Sequence, residues 1–122
     1  MKKTILVVED EPTLTELFRD ELSQEGYEVR VARTVRAASE YLTRETPDLV
    51  ILDIKLPDGS GLSLLEKIRK KREDLPIFIC SAYDSFKKDY AVWANKVTDY
   101  IVKPFKFKEL KEKIKLTFEV LA

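Results

Sequence analysis

The sequence contains no histidine and a single cysteine, Cys80. The first absence excludes Ser–His and Cys–His catalysis and every His-ligated metal site. The second excludes an internal disulfide and a cysteine-built zinc site. Charge of one sign is missing as well: Lys+Arg and Asp+Glu number 22 each, so no overall basic field marks a nucleic-acid binder. Long hydrophobic runs are absent. The apolar run Ile5 to Val8 behind the N-terminal lysines is too short for a signal-peptide core. No stretch approaches the ~20 apolar residues that a membrane-spanning helix needs. These absences predict a soluble, cytoplasmic protein of a reducing compartment, without membrane or direct nucleic-acid contact.

What is present fits one domain spanning 1–122, with 44% apolar and 36% charged residues for one core under a wet surface. The charge is uneven along the chain. Residues 1–61 hold 8 basic and 13 acidic residues, net −5, and residues 62–122 hold 14 and 9, net +5. Short apolar runs alternate with longer amphipathic stretches. Ile5–Val8, Leu49–Leu52, Ile77–Cys80 and Tyr100–Val102 are continuous, which predicts strands covered on both faces, as in a parallel sheet. The run Tyr27–Val31 alternates and reads as an edge strand.

Helical spacing fills the intervals. Leu14, Leu17, Phe18 and Leu22 share one face, with Gly26 placed to stop that helix. Thr34 is the expected N-cap of a second helix turning Ala38, Tyr41 and Leu42 inward. Leu62, Leu65 and Ile68 define a third, with Lys67, Arg69, Lys70, Lys71 and Arg72 outward. Phe86, Tyr90, Trp93 and Ala94 suggest a fourth, and Phe107, Leu110, Ile114, Phe118 and Leu121 a fifth. Trp93 and Phe86 read as packing residues, Cys80 as an inert buried thiol. The lysines at 106, 108, 111, 113 and 115 read as a solvated helix face. Strand and helix alternating five times predict an open parallel α/β sheet with helices on both faces.

Ligands of such sheets sit beyond the carboxyl ends of the strands, near the topological switch point. Glu9-Asp10-Glu11 follows the first apolar run, Asp53 the third, Ser81 the fourth and Lys103-Pro104 the fifth. A Glu-Asp pair after a strand is also what a solvated loop ahead of a helix N-terminus contains. Asp53 adds a carboxylate to the same edge, and like charges in one pocket repel unless a cation neutralises them. Two or three oxygen ligands with open positions suit Mg²⁺. Lys103 can counter a phosphoryl charge, and its bond to Pro104 is open to the cis form. Ser81 can cap a helix or bond a phosphoryl oxygen.

Four segments together resemble the receiver domain of two-component response regulators. They are Ile5–Pro12, Pro47–Pro57 with Gly61, Cys80-Ser81-Ala82, and Asp99–Phe105, in the family's order and across the whole chain. The resemblance implies a (βα)5 flavodoxin-like fold. It further implies that Asp53 is the phosphoacceptor, attacking a phosphohistidine on a sensor histidine kinase. By the same resemblance Asp10 and Asp53 ligate Mg²⁺, Glu9 acts through water, and the Lys55 backbone carbonyl completes the protein ligands. Ser81 and Lys103 would bind the phosphoryl group, and Tyr100 occupies the aromatic switch position. Lys55 and Tyr83 would flank the hydrolytic water and slow dephosphorylation. The implied partners are the kinase, a downstream effector domain or target, and a phosphorylation-dependent homodimer on the face of the fourth helix, last strand and fifth helix.

Three positions depart from the family pattern. Lys96-Val97 replaces a frequent Gly-Ala pair, with Asn95 the residue expected to tolerate a left-handed cap. Asp58-Gly59-Ser60-Gly61 has an additional glycine, expected to loosen the turn. Glu9 replaces the more frequent Asp. Two other classes fit parts of the pattern. An Mg²⁺-dependent phosphatase shares the Asp-plus-Lys chemistry, but generally has an acid two residues past its nucleophile, where this chain has Lys55. A degenerate receiver serving only as a binding module is disfavoured by the intact acid, Ser and Lys set. The last helical pattern runs almost to Ala122 without a cap, so a stand-alone regulator and a receiver trimmed from a longer protein both stay open, with the second favoured.

Overall fold

The structure is a computed structural model and describes residues 2–121. Its central sheet holds β1 (Thr4–Val8), β2 (Glu28–Ala32), β3 (Leu49–Leu52), β6 (Ile77–Ser81) and β7 (Asp99–Val102). They lie in the order β2-β1-β3-β6-β7, every pair parallel. Two residue pairs between them, β4 (Lys55–Leu56) and β5 (Gly59–Ser60), form a small antiparallel hairpin after β3. The helices are α1 (Pro12–Gln24), α2 (Val35–Arg44), α3 (Gly61–Lys71), α4 (Tyr90–Ala94) and α5 (Phe107–Leu121). The end of α5 is described to Leu121; Ala122 lies outside the described residues.

Alternation within the apolar strands builds two cores. Ile5, Val7, Leu49, Ile51, Phe78 and Cys80 face α1 and α5, meeting Phe18, Leu22, Leu110 and Ile114. Leu6, Val8, Val50, Leu52, Ile77 and Ile79 face the opposite layer, meeting Ala38, Leu64, Leu65, Ile68 and Val92. Both faces are covered, so these strands have no polar positions to spare. Strand β2 lies at the edge and keeps a partly open face. Cys80 is buried among apolar neighbours, which pushes its thiol up to about 12.

Helix boundaries follow local chemistry. Glu11 caps α1, its carboxylate accepting from Thr13 N (3.2 Å) and Leu14 N (2.7 Å), with Pro12 in the first turn. Gly26 ends that segment at φ 87°, its N–H donating to Ser23 O. Thr34 caps α2 through its hydroxyl to Ala37 N at 2.9 Å. Leu17 and Leu121 were expected inward but are 43% and 60% exposed; Thr15 takes the buried place in α1. In α3 the buried set is Gly61, Leu64, Leu65 and Ile68, with Leu62 only partly covered.

The fourth helix departs furthest from its expected pattern. A 3₁₀ turn, Ser85–Lys88, precedes it, and α4 proper has 5 residues. Asp89 starts it afresh by accepting from Ala91 N at 2.9 Å. Of its side chains only Val92 is buried; Tyr90 is 85% exposed, and Trp93 donates its indole N–H to Lys87 O at the surface. The left-handed position after α4 is Lys96, φ 57°, not Asn95. Arg69, expected outward, instead clamps this corner. Its guanidinium donates to Asn95 O (2.6 Å), Lys96 O (3.1 Å) and Arg72 O (2.9 Å), satisfying carbonyls that two helix ends leave open. Among the described residues no helix is long and apolar enough to cross a membrane.

Candidate functional site

Strand order decides what meets at the carboxyl edge. β1 is hydrogen-bonded to β2 on one side and β3 on the other, so the chain reverses direction of travel between β1 and β3. Glu9 and Asp10 leave β1 there, and Asp53 leaves β3, its N–H donating to Val8 O at 3.0 Å. Carboxylate oxygens of Glu9, Asp10 and Asp53 lie within 4.8 Å of one another, Asp10 being the most exposed of the three. They line a cleft of about 480 Å³ together with Glu11, Pro12, Lys55, Leu56, Pro57, Ala82, Tyr83 and Lys103.

Lys103 enters from the end of β7, where its bond to Pro104 is cis, as the sequence left open. Its Nζ lies 2.6 Å from Glu9 Oε1 and 3.2 Å from Asp53 Oδ2. Burial raises the Glu9 carboxyl above its ordinary value, opposed by the Lys103 bond and by the Glu11 N–H that Oε2 accepts at 3.1 Å. Burial by itself lowers the Lys103 ammonium, but the Glu9 and Asp53 carboxylates outweigh it and hold the group above the usual lysine value. Three carboxylates against one ammonium leave two negative charges uncompensated when all are ionised. That oxygen-only, charge-rich donor set fits a hard divalent cation. Glu9, at a position where Asp is more frequent in the family, pairs directly with Lys103.

Gly61 is where only glycine fits. A Cβ there would stand 1.9 Å from the Asp53 main-chain oxygen, and Gly61 N donates to Ile54 O at 2.6 Å. The extra glycine at 59 does not leave the turn loose. Asp58 pins it, accepting from Val35 N (2.8 Å) and Arg36 N (3.0 Å) at the start of α2. Those two N–H groups hold the Asp58 carboxyl below its ordinary value.

Ser81 lies fully buried behind the cleft, its Oγ accepting from Tyr83 N at 3.1 Å. Tyr100, at the position that the resemblance makes the aromatic switch, follows on β7. Its ring is buried, with the hydroxyl donating to Tyr83 O. Ser81 and Tyr100 are therefore linked through the Tyr83 backbone. The Tyr83 side chain is 42% exposed and, with exposed Lys55, borders the cleft. Among the lysines read as a solvated face, Lys111 pairs with Glu21 of α1 (2.7 Å) and Lys113 with Asp99 (2.6 Å). Asp58 and Arg69 carried no functional signal in the sequence, because each acts on backbone groups more than twenty residues away.

An open parallel sheet with an acid trio, a lysine and a buried hydroxyl at its switch point has the donor set that a phosphoryl group or a hard cation requires. The comparisons are more specific. Residues 5–115 match the response regulator receiver domain family, and this chain belongs to it. It is 37% identical over 107 residues, 88% of this chain and 46% of the relative, to the probable transcriptional regulatory protein TcrX of Mycobacterium tuberculosis. The chain spans about half the length of this and other curated relatives it matches. It is similar, at 45% identity and TM-score 0.85 over 93% of this chain and 96% of the other, to the response regulator TrrA of Thermotoga maritima in complex with Mg²⁺–BeF. TrrA in complex with the histidine kinase ThkA gives TM-score 0.83 at 45% identity, over 93% and 96% of the two chains. The chain is thus a receiver domain of the two-component response-regulator class.

Proposed function

We propose that Asp53 is the phosphoacceptor of this domain and that a sensor histidine kinase is the donor. An Asp53 oxygen attacks the phosphorus of phosphohistidine, the P–N bond breaks, and its electron pair stays on the imidazole nitrogen. The protein has mainly to position and to neutralise. Lys103, now shared between Glu9 and Asp53, is poised to follow the charge onto a phosphoryl oxygen. Ser81 would turn its hydroxyl from the Tyr83 N–H to the same group, and the Tyr83 backbone would pass that change to Tyr100. Asp10, Asp53 and the Lys55 carbonyl would hold Mg²⁺, with Glu9 acting through water; the ion supplies charge neutralisation for phosphoryl oxygens. Lys55 and Tyr83 flank the approach of the hydrolytic water, and neither is a suitable base for it.

The observation that carries this reading is the Lys103 ammonium held between two buried carboxylates beside an open Asp10. The same reading makes residues 1–122 one receiver domain acting in the cytoplasm. It has no turnover beyond its own phosphotransfer and dephosphorylation. Its output passes through the α4–β7–α5 face to an effector or a second copy. Intact-mass measurement after acetyl phosphate and Mg²⁺ treatment tests it: one phosphoryl group is added in wild type and none in Asp53→Asn. Equal labelling of the two proteins would overturn the assignment.

A further inference from the structure

The segment between Asp53 and α3 is suspended from two points. Its base is closed by the Gly61 N–H on Ile54 O and by the close approach of Gly61 to the Asp53 backbone. Its tip is held by Asp58, whose two carboxylate oxygens accept from the first two N–H groups of α2. Between these anchors run Lys55, Leu56 and Pro57, all lining the acidic cleft. Helix α2 does not depend on Asp58 alone for its cap. Ala37 N is taken by the Thr34 hydroxyl and Ala38 N by the Thr34 carbonyl, so the first four N–H groups of α2 are divided between a local and a remote partner. The local cap serves Ala37 and Ala38 and leaves the N–H groups of Val35 and Arg36 to Asp58. The remote one also crosses from one βα loop to another.

We infer that Asp58 is a positioning residue of the phosphoacceptor site, tethering the 54–60 loop to α2 so that the Lys55 backbone stays at the cleft wall. This rests on the proposed role of that carbonyl beside Asp10 and Asp53. Outer-shell partners of metal ligands typically alter affinity about 10–100-fold. Asp58 acts at the far end of a short hairpin, so a smaller effect, about three- to tenfold, is expected.

Thr34→Ala supplies the control, because it weakens the same helix start without touching the loop. The experiment measures the apparent Mg²⁺ dissociation constant, fitted from the rise of melting temperature with Mg²⁺ concentration, using Mg²⁺ as the sole added ligand, in wild type, Asp58→Ala, Asp58→Asn and Thr34→Ala. The expected result is a rise of about three- to tenfold in Asp58→Ala, with Thr34→Ala matching wild type although both melt earlier without the ion. Equal shifts in Asp58→Ala and Thr34→Ala would overturn the inference, leaving Asp58 a cap only. Asp58→Asn keeps one acceptor oxygen without the charge, and it stands in should Asp58→Ala not fold. A loss in Asp58→Asn as large as in Asp58→Ala that disappears at high salt would also overturn it, since that is a field effect, screened beyond a Debye length. A wild type whose melting temperature does not respond to Mg²⁺ would remove the metal reading beneath it, an outcome distinct from the others.

Discussion

The edge that carries Asp53 and the flank that carries α4 are built from the same strand-then-helix rhythm, yet they are held in place very differently. At the first, Phe18 of α1 is fully buried and packs on Phe105 and Phe107 at centroid distances of 5.9 and 5.4 Å. The loops around it are pinned by Glu11, Asp58, Gly61 and Lys103. At the second, one short helix buries one side chain, Val92, and turns Tyr90 outward. Segments with few buried apolar contacts open at low free-energy cost. The comparison teaches that this domain over-determines the place where a charge can arrive and leaves under-determined the surface that could report it.

The largest test of that contrast is a pair of truncations. Phe18→Ala is expected to cost about 3–5 kcal/mol in urea unfolding, against about 1.5 kcal/mol for Val92→Ala, which removes only two methyl groups' worth of burial. Equal costs would mean that α4 is bound as firmly as α1. Next comes Lys103→Met, which leaves Glu9 and Asp53 facing each other without a cation. In Mg²⁺-free buffer it should destabilise by about 1.5–3 kcal/mol, and added Mg²⁺ should recover more stability there than in wild type.

Lys96→Gly should act in the opposite direction. A non-glycine residue in the left-handed region costs about 1–2 kcal/mol, and the Lys96–Glu73 pair that is lost is exposed on both sides, where solvent screening leaves an ion pair little to contribute. A net gain of roughly 0.5–1 kcal/mol, read as a higher urea midpoint, would sharpen the view that the α4 corner carries residual strain.

The smallest expected effect is a pH dependence at the pinned loop. The N–H groups of Val35 and Arg36 depress the Asp58 carboxyl in the folded state. Its stabilisation is therefore complete above the unfolded carboxylate value of about 3.9 and is lost as pH falls through the lower folded value. The melting difference between wild type and Asp58→Ala should be constant at neutral pH and close below that range. A difference that persists at the lowest pH would assign the stabilisation to something other than the charge.

Legibility differed along the same line. The four buried strands were readable because residues covered on both faces must be apolar at every position, and Ile5, Leu49 and Ile77 leave no alternative. Glu9, Asp10, Asp53 and Lys103 were readable because each directly follows such a run. Helix α4 was misjudged because Phe86, Tyr90 and Trp93 have helical spacing, while the core beneath takes Val92 from α4 and Phe86, only partly buried, from the 3₁₀ turn before it. Lys96 took the left-handed position because α4 ends at Ala94 with Asn95 as its C-cap, and Arg69 holds the carbonyls of both residues, a contact no local pattern contains.

The amino-acid sequence by itself determined the alternation of strand and helix, the two covered faces and the set of charged residues delivered to one edge. These follow from side-chain hydrophobicity and spacing, which act over a few residues. Tertiary structure alone decided that Lys103 bridges Glu9 and Asp53, that Tyr100 lies inward, and that Asp58 and Arg69 hold distant loops. Those contacts join residues far apart in the chain. Their geometry exists only once the strand order β2-β1-β3-β6-β7 has placed the loops side by side.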